Sequence, residues 1–340
     1  MPLCLTARNA ERSLLSSGST PLLRTNIQKP NKIDWLAAYA PMANGHRGPR
    51  RVTISEATKL RWFQRGAKAL AATFPSAAGK GYACPICARA TTSVEALTVE
   101  DVPPRRVGGK PLILTCEPCN SKGGRLLDVH WGHLLDVESL MRGELSQALT
   151  VQLDIGGART TAELTAEGKI FKAAGMKAAS NPAAIEAQKQ TLSKLLTPTG
   201  MTTAIAFNMT LSRSRFKERN ARLSILRAGY LVGVAVTGYR FLPSWRRIRE
   251  LVFDPSGADD DLLQLVRFDK SHPLDRRQLG VIFEPSEAWA LLVGFGSWTV
   301  IVPFAVDSIF YSPERRTGRW AFTGSEYEWP TEPSFGIPSE

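Results

Sequence analysis

Cysteine, acidic side chains and long uninterrupted apolar runs are all scarce in this chain of 340 residues. Five cysteines are too few to staple so long a chain, which excludes a disulfide-framed secreted scaffold and leads us to expect a reducing, cytoplasmic setting. Acids number 31 against 43 lysines and arginines, giving a net charge of +12 and a pI near 9.7. That balance favours an anionic partner, with nucleic acid first among the choices. No apolar stretch suits a secretory signal. One charge-free run, 288–306, approaches membrane-span length, but Gly296-Ser297 divides it into two β-rich halves bounded by Glu287 and Asp307. It reads as two antiparallel strands around a tight turn, so no membrane partner is expected. There is no internal repeat.

What is present divides into five stretches. Residues 1–32 are rich in Arg and Ser with one acid, Glu11, and read as a disordered tail. Residues 33–80 read as a helical lead-in, with Ser55 an N-cap for the helix that follows. Residues 81–135 carry the paired cysteines. From 150 to 312 the pattern predicts a larger α+β domain. Its expected strands are at 150–155, 161–166 and 203–211, with helices at 183–196, 213–236 and 245–252 and mostly strands thereafter. Residues 313–340 are Pro-rich and read as a loose tail. The fold class expected is therefore α+β: a small metal-bound module beside a larger mixed domain.

The cysteines are spaced Cys84-x-x-Cys87, then 28 residues, then Cys116-x-x-Cys119. Each Cys-x-x-Cys turn presents two thiolates to one ion, and four soft ligands suit tetrahedral zinc. We therefore expect a structural Zn²⁺, the first pair on a β-turn and the second at a strand end leading into a helix near Asn120. Cys4 is left over, and nothing is assigned to it.

With these pairs stand Leu97-Thr98-Val99-Glu100-Asp101-Val102-Pro103-Pro104, a Gly108-Gly109-Lys110 turn, and Leu114-Thr115-Cys116-Glu117-Pro118-Cys119-Asn120. Together they resemble an HNH endonuclease of the zinc-stapled, treble-clef (ββα-metal) kind over roughly 50 residues. The resemblance implies a metal-dependent endonuclease. Glu100 would be the acidic ligand of a catalytic Mg²⁺ or Mn²⁺, and Asn120 the central asparagine. A third position one or two helical turns on falls to Asp128, His130 or His133. Asp128 is the natural second oxygen ligand and His130 the natural proton-transfer group. Asp101 stands where that family keeps a histidine base. Histidine suits the task because its ordinary pKa, about 6.5, lies near neutral pH; aspartate's, about 3.9, does not.

Asp101 thus admits three readings: a second metal ligand, a base raised by burial, or the mark of a site retained only for binding. Asn120 read blandly is an N-cap, Asp128 a solvated helix residue, and His130-Trp131-Gly132-His133 an exit turn. Gly123-Gly124-Arg125 reads as another turn.

Between 213 and 249 there are ten cations and one acid, Glu218. Candidate phosphate contacts are Arg213, Arg215, Lys217 and Arg219 here, and Arg105, Arg106, Lys122 and Arg125 in the module. Leu223, Leu226, Tyr230 and Val234 have the spacing of a buried helix stripe. The expected function is metal-dependent cleavage of nucleic acid, DNA ahead of RNA. The alternatives are a catalytically inactive zinc-containing nucleic-acid-binding protein and a protein–protein adaptor.

Overall fold

In the computed structural model the described residues are 5–6, 54–144, 148–167, 170–175, 180–197, 200–201, 208–211, 216–312 and 322–336. Most of the expected N-terminal tail, the start of the helical lead-in, and Arg213 and Arg215 lie outside them. In chain order the first elements are β1 (Leu5–Thr6), α1 (Glu56–Thr73), β2 (Tyr82–Ala83), β3 (Ala90–Thr91), β4 (Leu97–Val102) and β5 (Lys110–Cys116). Helices α2 (Glu117–Gly123) and α3 (Val129–Arg142) follow, linked by a π-helical turn over Gly124–Asp128. Next come β6 (Leu149–Ile155), β7 (Ala158–Glu167), β8 (Ile170–Gly175), α4 (Pro182–Leu195), β9 (Leu196–Thr197), β10 (Gly200–Met201) and β11 (Asn208–Leu211). The last are α5 (Glu218–Thr237), α6 (Arg246–Phe253), β12 (Val266–Phe268), β13 (Arg277–Glu284), β14 (Ala290–Phe295), β15 (Trp298–Pro303) and β16 (Thr323–Tyr327). The mixed α+β class is as expected.

The chain forms two compact units, and their limits differ from the divisions drawn on the sequence. One unit holds 1–47 and 135–216; the other holds 48–134 and 217–340. The expected 150–312 domain is therefore cut at 216. Its second half folds with the cysteine module, because α5 packs against the β4–β5 hairpin as well as against β14 and β15.

The first unit is an antiparallel sheet in the order β1-β8-β7-β6-β11. Leu5 and Thr6, inside the stretch expected to be disordered, pair with Phe171 and Ile170. Helix α4 is tied to this sheet by Gln188, whose Nε2 donates to the carbonyls of Leu153 and Ala158 while its Oε1 accepts from Thr160 Oγ1.

The second unit is organised around α5. From Leu223 to Thr237 every residue of this helix is buried, so the expected stripe is in fact a helix enclosed on all sides. A second antiparallel sheet, β12-β15-β14-β13-β16, lies on one side of it. The run at 288–306 is the β14–β15 hairpin, closing Phe295 against Trp298 with Gly296 at φ 60. Helix α1 starts at Ser55, whose side chain accepts from the Thr58 N–H, as expected of an N-cap.

The glycine turn expected at 123–125 is helical instead, and of the two readings of 130–133 the structure has the helical one rather than the exit turn. The tail is not loose over 322–336: β16 adds to the sheet, Glu332 pairs with Arg61 and Arg65, and Phe335 is 7% exposed. The Phe335 ring stacks on Tyr239 at 6.2 Å and meets Tyr82 edge-on at 6.1 Å. The Phe335 N–H and the Ser334 hydroxyl donate to the carbonyls of Ala235 and Val236, satisfying acceptors that the last turn of α5 leaves open. Replacing Phe335 with Ala is expected to cost about 3–5 kcal/mol in chemical denaturation; a loss below about 1 kcal/mol would contradict a packed anchor.

Candidate metal centre and acidic pocket

The β2–β3 hairpin turns through the first cysteine pair. The Cys84 N–H donates to the Arg89 carbonyl, the Ala88 N–H to the Cys84 carbonyl, and Ala88 takes a positive φ of 58 to close the knuckle. The second pair straddles the end of β5 and the first turn of α2, where Pro118 suits the helix start. All four sulfurs lie within 4.8 Å of one another, and Cys87 Sγ is 3.7 Å from Cys116 Sγ. A tetrahedral ion with metal–sulfur bonds of about 2.3 Å requires sulfur–sulfur edges of roughly 3.8 Å, so the donor set fits one ion. The Cys84 thiol is pushed up to about 12, first by its hydrogen bond with Cys119. Cys87 is also pushed up, first by Cys84. Thiols crowded in this way ionise together only around a cation.

The cysteine module is held by residues distant in sequence. Tyr239 Oη donates to the Ala83 carbonyl at 2.7 Å, Tyr230 Oη to that of Pro85, and Tyr82 Oη to that of Leu114 at 2.7 Å. Tyr230 and Tyr239, distant in sequence, supply donors to buried carbonyls of the first knuckle, and Tyr82 does the same within the module for a carbonyl of β5.

Beside the four sulfurs lies a pocket of opposite character. Glu100 on β4 and Arg227 on α5 are each 3% exposed. Arg227 Nη1 and Nη2 meet Glu100 Oε1 and Oε2, each at 2.9 Å, and Thr115 Oγ1 donates to Oε2 at 3.1 Å. Asp128 approaches the same guanidinium at 3.8 Å and accepts from Ser224 Oγ at 2.6 Å. Burial pushes the Glu100 carboxyl up and Arg227 opposes it. Burial also acts against the Arg227 charge, but Glu100 and then Asp128 outweigh it and hold Arg227 above its ordinary value. The bidentate geometry is that of a carboxylate gripping a cation. Gly123 makes the room: a Cβ there would fall 2.5 Å from Arg227 Cζ.

Of the sequence-predicted residues, Glu100 and Asp128 are thus brought to one point, with Arg227 on it. Asn120 lies elsewhere in its bonding: its Nδ2 donates to Thr98 Oγ1 and the Val99 carbonyl, both at 3.0 Å, clamping α2 to β4. Asp101 is half-buried at a shift in the β4–β5 register. His130 is buried in α3, and its Nδ1 accepts the Lys217 N–H at 3.2 Å, which puts the proton of the neutral ring on Nε2. Burial, then the charges of His133 and Lys217, lower its pKa. His133 is exposed.

The basic residues are largely engaged. Lys122 Nζ donates to the Phe253 carbonyl at 2.7 Å and sits 5.2 Å from the ring centre. Arg219 pairs with Asp260 at 2.7 Å and also donates to the carbonyls of Pro255 and Gly257. Arg222, Arg246 and Arg247 pair with Glu218, Glu250 and Asp259. Most of these acids lie just beyond residue 249, outside the window in which the sequence looked so cationic. Arg125 and Lys217 are exposed; Arg106 is exposed and lies against Gly132, and Arg105 is half-buried.

Arg227 is the residue that sequence reasoning passed over, counting it only among the cations. The signal was there: a lone arginine within Leu223–Val236 cannot be buried without an acid.

Comparison with protein-family models, with curated proteins and with solved structures finds no match.

The lowered pKa of His130 predicts a sign. The folded state resists its protonation, so this contribution to stability is full above about pH 6.5 and is lost as pH falls from there through the lowered folded-state value. Urea midpoints for the wild type should fall more between neutral pH and mild acid than those of His130→Gln, which keeps an acceptor for Lys217. Identical pH profiles would refute this.

Proposed function

We propose that this chain is a nucleic-acid-binding protein built on a zinc-stapled, HNH-like module that does not itself cut. The observation that carries this reading is the closed pair at Glu100, both of whose carboxylate oxygens are held by Arg227 inside a buried pocket. Metal-assisted hydrolysis of a phosphodiester needs a hard ion with open coordination positions within reach of the substrate, and a base to activate water. Glu100 offers no such opening. Asp101 stands where the resemblance calls for histidine, and the Nδ1 of His130 is already an acceptor. Removing Arg227 from Glu100 would cost about 3–5 kcal/mol, as for other broken buried pairs, before a metal gained anything.

Zinc in this reading is structural. Four thiolates complete its tetrahedral shell and leave no place for water or substrate. The excess of positive charge supplies sequence-independent attraction to a polyanion, DNA ahead of RNA, and Arg106, Arg125 and Lys217 are the exposed ones among the expected contacts that the structure describes.

A metal-dependent endonuclease is the second reading. It is favoured by the convergence of Glu100 and Asp128 on one cation, as two oxygen ligands of a single metal would converge.

Native protein should contain one zinc per chain, and Cys87→Ser should lower that content and the stability together. Labelled duplex DNA should be retained, with affinity falling steeply as salt rises, while plasmid and RNA stay intact with Mg²⁺ or Mn²⁺ present. Metal-dependent cutting that Glu100→Ala abolishes would establish the second reading instead. Absence of any salt-dependent binding would leave neither.

A further inference from the structure

We infer that Arg227 is the resident cation of the acidic pocket: its guanidinium takes the position between Glu100 and Asp128 that a divalent ion would otherwise fill, and makes the pocket complete without one. The inference rests on the non-cutting reading above and gives it a physical cause.

The geometry supports it from four directions. The guanidinium meets Glu100 through two donors at 2.9 Å and reaches Asp128 at 3.8 Å, so one positive charge is shared by two carboxylates on different elements. Hydroxyl donors complete the cluster, Thr115 Oγ1 to Glu100 and Ser224 Oγ to Asp128, and Cys119 also faces the guanidinium. Gly123 leaves the space that the planar guanidinium occupies. Finally, Arg227 is the one charged residue in the buried stretch Leu223–Thr237 of α5, so its charge is satisfied by partners on other elements. Two carboxylates, a cation and two hydroxyl donors form a charge set in which the second carboxylate is only partly neutralised. A dication would suit that arrangement at least as well by charge, and oxygen ligands are what Mg²⁺ and Mn²⁺ accept.

An arginine that merely packed would leave metal binding unaffected when replaced. A resident cation would not. With its zinc retained, the wild-type protein should show no Mn²⁺ uptake that depends on Glu100, in calorimetry or by the loss of free-ion EPR signal. Arg227→Met, of similar length and uncharged, should bind one Mn²⁺ at least tenfold more tightly than the wild type. Adding Glu100→Gln to that variant should abolish the gain, and Arg227→Lys, which keeps the charge, should not produce it.

If Arg227→Met does not fold without metal, thermal melting supplies the second measurement. The double variant Glu100→Gln/Arg227→Met, with charge removed from both sides, should then fold and melt higher than the single variant, since an unpaired buried carboxylate is what destabilises the latter. A folded Arg227→Met that takes up no Mn²⁺, a double variant no more stable than the single, or Glu100-dependent Mn²⁺ binding by the wild type would each overturn the inference. The last result without nucleic-acid cleavage would leave the non-cutting reading standing; metal-dependent cleavage would remove that reading as well.

Discussion

A guanidinium and a carboxylate removed from water must find each other in good geometry, or neither can be buried at all. In this protein that requirement binds β4 of the cysteine module to the middle of α5. From Leu223 to Thr237, Arg227 is the one charged residue of this helix, so that part of it is enclosed rather than laid on a surface. The hairpin, the helical turn at 124–128 and the sheet of β12 to β16 all take their positions from it. The two knuckle tyrosine contacts from Tyr230 and Tyr239 extend the same logic, each supplying a donor to a carbonyl that the hairpin cannot satisfy itself.

Two metal-like arrangements thus stand side by side with opposite solutions to the same problem. At the cysteines, four soft donors crowd together and call for an external ion. At Glu100 and Asp128, hard donors converge, and the chain provides its own cation. The first has no polypeptide substitute, because no side chain can offer four sulfurs a tetrahedral partner. The second has one, because a planar guanidinium matches a carboxylate edge to edge.

What could be read in the sequence was local. Cys-x-x-Cys spacing, the N-cap at Ser55 and the Gly296 hairpin depend on neighbours in the chain, and each appears where it was expected. What could not be read depended on contacts across long separations. Arg227 looked like one more cation because its partner lies 127 residues away. Gly123 looked like a turn because its function is to make space for that arginine, and a helix tolerates it there. Arg219, Arg246 and Arg247 looked available because their acids, Asp260, Glu250 and Asp259, fall outside the basic window. The tail looked loose by composition, yet Phe335 and Glu332 belong to contacts with residues from the first third of the described chain.

The order in which the ribosome delivers these pieces has a consequence. The hairpin bearing Glu100 emerges first, then the whole of 135–216, which belongs to the other unit, and only then α5 with Arg227. Throughout that interval Arg227, the partner of the folded Glu100, has not yet been made. The aromatic seat formed by Tyr82 and Tyr239 waits longer still, until Phe335 is synthesised. The cysteine segment is therefore not a cassette that could be cut out and grafted elsewhere with its interior intact. Its interior is completed by residues made after it.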